Sequence, residues 1–97
     1  MSIKAMKLEL SRISLIDIED DMKAYRKEVG GAVETIRLKD GGLMIAFKEG
    51  LIKKHPHNDL ASYIATQHIY GTALIVGLDL SGCACDVPEQ YYVWLGN

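Results

Sequence analysis

The sequence predicts an α+β fold: a single mixed or antiparallel sheet of about five strands, with two to three helices packed mainly on one face. Three observations carry this. Apolar and charged residues alternate near the start, with Met6, Leu8 and Leu10 on one side and Lys7 and Glu9 on the other. Met22, Tyr25 and Val29 form a stripe at helical spacing between an acidic opening and a glycine pair. Thr72-Ala73-Leu74-Ile75-Val76-Gly77-Leu78 is the longest apolar run and has the length of a strand covered on both faces.

Taken in order, Lys4 to Leu10 reads as a half-buried strand, with a bend at Ser11-Arg12. Ile13 to Ile18 is rich in β-branched residues and reads as a second strand. Its alternation slips between Leu15 and Ile16, which calls for a bulge or for cover on both faces. Glu19-Asp20-Asp21 opens a helix, because acidic groups cap free N–H groups and meet the positive end of the helix dipole. Gly30 ends that helix and Gly31 follows, allowing the reversal into a third strand from Ala32 to Leu38. Asp40-Gly41 predicts a hairpin into Leu43–Phe47. That strand is expected to be an uncovered edge, and Leu51-Ile52 to extend the sheet briefly.

Lys53 to His57 is polar and contains Pro56, which cannot join a ladder. Asn58 is a good N-cap for the next helix, whose inner face takes Leu60, Ala61, Ile64, Ala65 and His68. Gly71 and Gly77 flank the central strand, where a bend or a close approach is expected. Ser81-Gly82 is a turn. Asp86 and Glu89 have the spacing of a capping box, with Pro88 in a first helical turn. A short last helix then carries Tyr91, Tyr92, Trp94 and Leu95. The order is β-β-α-β-β-α-β-α, with no repeat or low-complexity tract, and it fills one domain, 1–97.

Composition excludes several classes. Of the 97 residues, 48% are hydrophobic and 25% charged, the balance of an ordinary globular protein. Eleven Lys and Arg against thirteen Asp and Glu give a net charge of −2. That argues against sequence-specific nucleic-acid binding held by phosphate contacts, and equally against a heavily acidic DNA mimic. No run of about 18 apolar residues is present to span a membrane. The charged start does not resemble a signal peptide, so a cytoplasmic location is expected. Cys83 and Cys85 are one residue apart, too close for an unstrained disulfide, and read as free thiols.

Glu28-Val29-Gly30-Gly31-Ala32-Val33-Glu34, Asn58-Asp59-Leu60-Ala61 and Ile69-Tyr70-Gly71-Thr72-Ala73-Leu74-Ile75-Val76-Gly77 stand here in one order. In that order they resemble the domain-of-unknown-function family 3846, small proteins of bacteriophages, conjugative elements and their hosts. The resemblance spans roughly Ile3 to Tyr92. It implies a shared fold and no established activity or catalytic residues. The shared residues are turn glycines and one cap: Gly30, Gly31, Asn58, Gly71 and Gly77. The Cys83-Ala84-Cys85 segment and the His55-Pro56-His57 loop stand outside the resemblance.

No paired carboxylates, triad or phosphate loop is visible, so a non-enzymatic protein without a cofactor is expected. His55, His57, Cys83 and Cys85 are the donor types of a zinc site, but their spacing is tighter than usual and a solvated loop with two free thiols is favoured. Lys53-Lys54-His55 reads in the same way as solvated rather than phosphate-binding. The candidate partner-binding residues are the acidic Asp17, Glu19, Asp20 and Asp21 and the aromatic Tyr91, Tyr92 and Trp94. Two of the three aromatics are expected to dock on the sheet. The resemblance implies a small interaction protein of a phage or mobile element. Its most concrete form is an anti-CRISPR-like inhibitor that covers a host protein or ribonucleoprotein complex. The alternative is a domain that sequesters a small molecule or metal. Dimerisation is an expected supplement to so small a core.

Overall fold

The computed structural model describes residues 1–95. Six antiparallel strands form one sheet: β1 (Ser2–Leu8), β2 (Ile13–Glu19), β3 (Val33–Arg37), β4 (Gly42–Phe47), β5 (Ala73–Leu78) and β6 (Ala84–Cys85). The order is β2-β1-β5-β4-β3, with β6 also on β5. Helix α1 (Met22–Val29) follows β2, α2 (Asp59–Ala65) precedes β5, and a 3₁₀ helix (Glu89–Trp94) closes the described chain. The α+β class and the single sheet are as the sequence predicts, and every pairing is antiparallel.

Alternation along the central strands sorts the core into two layers. Met6, Leu8, Met44, Ala46, Ala73 and Ile75 point to one face, where α2 and the 3₁₀ helix bring Ala61, Ala65 and Tyr91. Ala5, Ile45, Phe47, Leu74 and Val76 point to the other, where α1 brings Tyr25 and Val29. Two of the three helices thus share a face and α1 covers the opposite one. β5 is paired on both sides and buried from Ala73 to Gly77, as its apolar run predicts.

Several local expectations need correcting. β1 ends at Leu8, not Leu10: Glu9 N donates to Arg12 O and turns the chain, leaving Leu10 exposed. β2 has no bulge, for its register with β1 runs unbroken from Ile13 to Glu19. Ile16 and Ile18 face the α1 layer while Leu15 lies half-exposed on the other face of this edge strand. β4 is not an edge, since β3 and β5 flank it; the outer strands are β2 and β3. Leu51 and Ile52 do not extend the sheet. They sit exposed in a turn closed by Lys53 N to Glu49 O and His55 N to Gly50 O. α2 stops before His68, because Thr66 takes a left-handed conformation (φ 56°) and ends the helix. Asp86 forms no capping box; its Oδ1 accepts from Lys4 N at 2.8 Å, and the 3₁₀ helix begins after Pro88 without a side-chain cap.

The predicted caps are in place. Asp21 Oδ1 accepts from Ala24 N at 2.7 Å at the start of α1, and Gly30 (φ 102°) ends it by donating to Arg26 O. Gly31 lets the chain pass Phe47, whose ring a Cβ would meet at 2.7 Å. At Gly77 a Cβ would collide with the Asp86 carbonyl, so only glycine lets β6 close on β5 here. Gly71 is left-handed (φ 83°) and lies against His55.

Asn58 is buried and fully paired. Its Nδ2 donates to Leu8 O at 3.0 Å and Gly71 O at 2.9 Å, and its Oδ1 accepts from Ala61 N at 3.1 Å. Truncation uncaps α2 and removes the donors to two backbone carbonyls. We expect Asn58→Ala to lower stability by about 3 kcal/mol in urea denaturation. Asn58→Ser, which keeps only the cap acceptor, recovers a minor part.

Candidate functional site

The acidic segment is knitted into its own neighbourhood. Asp17 accepts from Lys4 Nζ at 3.3 Å and Glu19 from the Met1 amine at 2.7 Å. Asp20 accepts from the Tyr25 hydroxyl at 2.7 Å, and Asp21 caps α1. The terminal amine holds Glu19 below the usual carboxylate range. Asp17 and Glu19 thus tie β2 to the start of the chain, and Asp20 and Asp21 tie the turn after β2 to α1. Burial, and then the Asp20 carboxylate, raise the Tyr25 hydroxyl above the ordinary phenol value.

The aromatic tail divides by depth. Tyr91 is 5% exposed and belongs to the core under Gly42, which corrects its reading as a partner-binding residue. Burial, with Asp40 nearby, raises its phenol as well. Tyr92 and Trp94 are half-buried and pack against the same layer. Tyr63 on α2, which the sequence reading passed over, is 72% exposed and meets Trp94 edge-on with ring centroids 6.0 Å apart. Its position off the apolar stripe of α2 was the available signal. Val93 is 70% exposed beside them. Trp94 separates two open clefts. One, of about 620 Å³, runs between Leu10–Ile13 and Pro56–Leu60. The other, of about 430 Å³, lies between Arg37–Asp40 and Tyr63–Thr66.

The weak zinc set is not brought together. Among the described residues no group of three or more His, Cys, Asp or Glu side chains converges as a metal cage. His55 packs against Phe47 with the rings tilted and their centroids 4.7 Å apart. Cys83 and Cys85 are free thiols, Cys83 exposed and Cys85 half-buried in the short β6. Burial pushes the Cys85 thiol up, and Asp79 and Asp86 add to the rise.

His57 instead meets residues that the sequence reading did not join to it. Its Nδ1 lies 2.6 Å from Asp59 Oδ1, and its Nε2 lies 3.1 Å from both His68 Nδ1 and Ser62 Oγ. An isolated bridge pairs His57 with Tyr70, and Tyr70's ring stands edge-on to the imidazole at 5.2 Å. The bridge brings the loop before α2 back against the segment after it, two residues from His68. The order Asp59–His57–Ser62 is that of a hydrolytic triad. However, Ser62 Oγ is engaged by the Ile69 backbone, accepting from its N–H at 2.8 Å and lying 3.3 Å from its carbonyl. The hydroxyl is thus tied into the turn after α2, and the arrangement is foremost a polar clasp that orders two imidazoles.

Fold and surface together define a small antiparallel α+β domain with an aromatic face beside a histidine clasp. The chain belongs to the family described as Domain of unknown function (DUF3846), which matches residues 3–95. No curated protein matches it. Its fold resembles part of the crystal structure of small RNA methyltransferase HEN1, with a TM-score of 0.69 and 15% sequence identity. The match covers 90% of this chain and 15% of that chain, a likeness of fold alone. Among the described residues no helix is long and apolar enough to cross a membrane.

Two measurements check these surroundings. The raised Tyr25 hydroxyl means that the folded state resists its ionisation. Its contribution is complete below the unfolded phenol value of about 10 and is lost as pH rises beyond it. The urea midpoint should therefore fall above about pH 10, and fall less steeply in Tyr25→Phe. Iodoacetamide labelling followed by peptide mass spectrometry should modify exposed Cys83 before Cys85.

Proposed function

We propose that the chain is a non-enzymatic interaction protein that works by covering a surface of a host protein complex. The observation that carries this is a cluster between two open clefts in which exposed Tyr63 and Val93 accompany half-buried Trp94. Large rings that already touch lose little side-chain freedom on docking, and Tyr and Trp are the residue types most enriched where binding energy concentrates. A net charge of −2 leaves shape and apolar contact, rather than long-range attraction, as the basis of recognition. The mechanism is steric: the sheet fixes α2 and the 3₁₀ helix as a rigid face laid over a partner's working surface.

The concrete form of this reading is counter-defence for a phage or mobile element, with a CRISPR effector complex as the partner. It rests on the resemblance to small proteins that such elements encode, and it places the protein in the bacterial cytoplasm. The test is a plaque assay on a host whose CRISPR immunity is active, joined to binding of the purified effector by interferometry. Expression should restore plaquing, and the effector should be retained. Tyr63→Ala with Val93→Ser, both at exposed positions, should weaken binding at least about tenfold with thermal stability unchanged. Unchanged binding by that variant would remove this face as the interface. Full immunity in the presence of the wild-type chain would remove the counter-defence reading.

A further inference from the structure

We propose that His57 and His68 form a surface chelate for a divalent cation of the zinc, nickel and copper class. The site borders the aromatic face, since His57 and Trp94 line one cleft, but its ligands are not among the exposed rings of that face. His57 Nε2 and His68 Nδ1 face one another at 3.1 Å. Two nitrogens each about 2.0–2.1 Å from one cation, at this separation, subtend roughly 100° at the metal, between the tetrahedral and octahedral angles. The cation then sits about 1.3 Å off the line between them, and the rings, chiefly that of His68, turn to aim both lone pairs at it.

Asp59 settles which nitrogen of His57 is free. A carboxylate only accepts, so its 2.6 Å contact places the proton of a neutral ring on Nδ1 and the lone pair on Nε2, toward His68. A metal-binding histidine is commonly held in this way, with a carboxylate on the far nitrogen fixing the ring and strengthening it as a donor. In the absence of metal, the His68 Nδ1 proton bridges the pair. On binding, that proton shifts to the exposed Nε2 of the same ring by exchange with water, and no net charge is lost. The Tyr70 ring beside His57 and the Ser62 hydroxyl at 3.1 Å limit its rotation, so the ring's ordering is largely complete before the cation arrives. Both histidines are exposed, which leaves the remaining coordination positions to water. Imidazole donors with open positions select the later first-row divalent ions over magnesium or calcium.

The test is isothermal titration of the untagged full-length chain with zinc chloride, with long-range nitrogen–proton NMR of the imidazoles. One zinc per chain is expected, with metal-induced shifts at His57 Nε2 and His68 Nδ1. His68→Ala and His57→Ala should each weaken binding at least tenfold. Asp59→Asn should weaken it about tenfold or more, through the orientation of His57. Cys83→Ser with Cys85→Ser should leave it unchanged. His68 is exposed and outside any helix or strand, so its variant reads out the site even where His57→Ala perturbs the loop. No zinc uptake by the wild-type chain, undiminished binding by His68→Ala, or loss in the cysteine variant alone would overturn the proposal.

Discussion

The structure turns on one buried amide. Asn58 joins the end of β1, the start of α2 and the turn that launches β5, three segments that are far apart in the chain. Each contact engages a backbone group of a different segment, so the three are held in one arrangement. The same residue sits between His57 and Asp59. A side chain that fixes the core thus also fixes the flanking polar groups on the outside. The clasp around His57 is ordered because Asn58, on the inner side of the same turn, has nowhere else to go.

The two-layer core follows from the pleat. On β4 and β5 neighbouring residues face opposite layers, and both layers are apolar, so these strands tolerate no charged position. Charge is confined to the periphery, as at the Lys7–Glu28 pair (2.9 Å) where β1 meets α1. The outer strands carry Asp17 and Glu19 on β2 and Glu34 and Arg37 on β3. Charged side chains of this kind discourage a further strand from adding to an open edge. The helical faces are then the natural contact surfaces, and of these the α2 side carries the exposed rings.

What the sequence revealed, and what it hid, divides by chain distance. β5 was legible because five consecutive buried positions need an apolar run. Asp21 and Asn58 were legible as caps because capping is local, acting within three residues. The wider role of Asn58 was hidden, since Leu8 lies fifty residues away. The same holds for Asp86, whose spacing to Glu89 imitated a capping box while its carboxylate was used by Lys4 across the sheet. β6 was missed because two residues show no alternation. The histidine clasp was missed because His68 reads as the last residue of a helical stripe, and the left-handed turn at Thr66 that swings it toward His57 leaves little mark in a β-branched residue.

The order β2-β1-β5-β4-β3 also sets a timetable. The hairpins β1–β2 and β3–β4 each close locally, and both must wait for β5 to unite them. β5 follows both hairpins in the chain and is therefore synthesised after them. Until then the inner edges of β1 and β4, apolar and unpaired, stand open to any other strand in reach. The growing chain therefore passes through a vulnerable interval that ends abruptly. Residues 73–78 act as a zip between two hairpins that close without them.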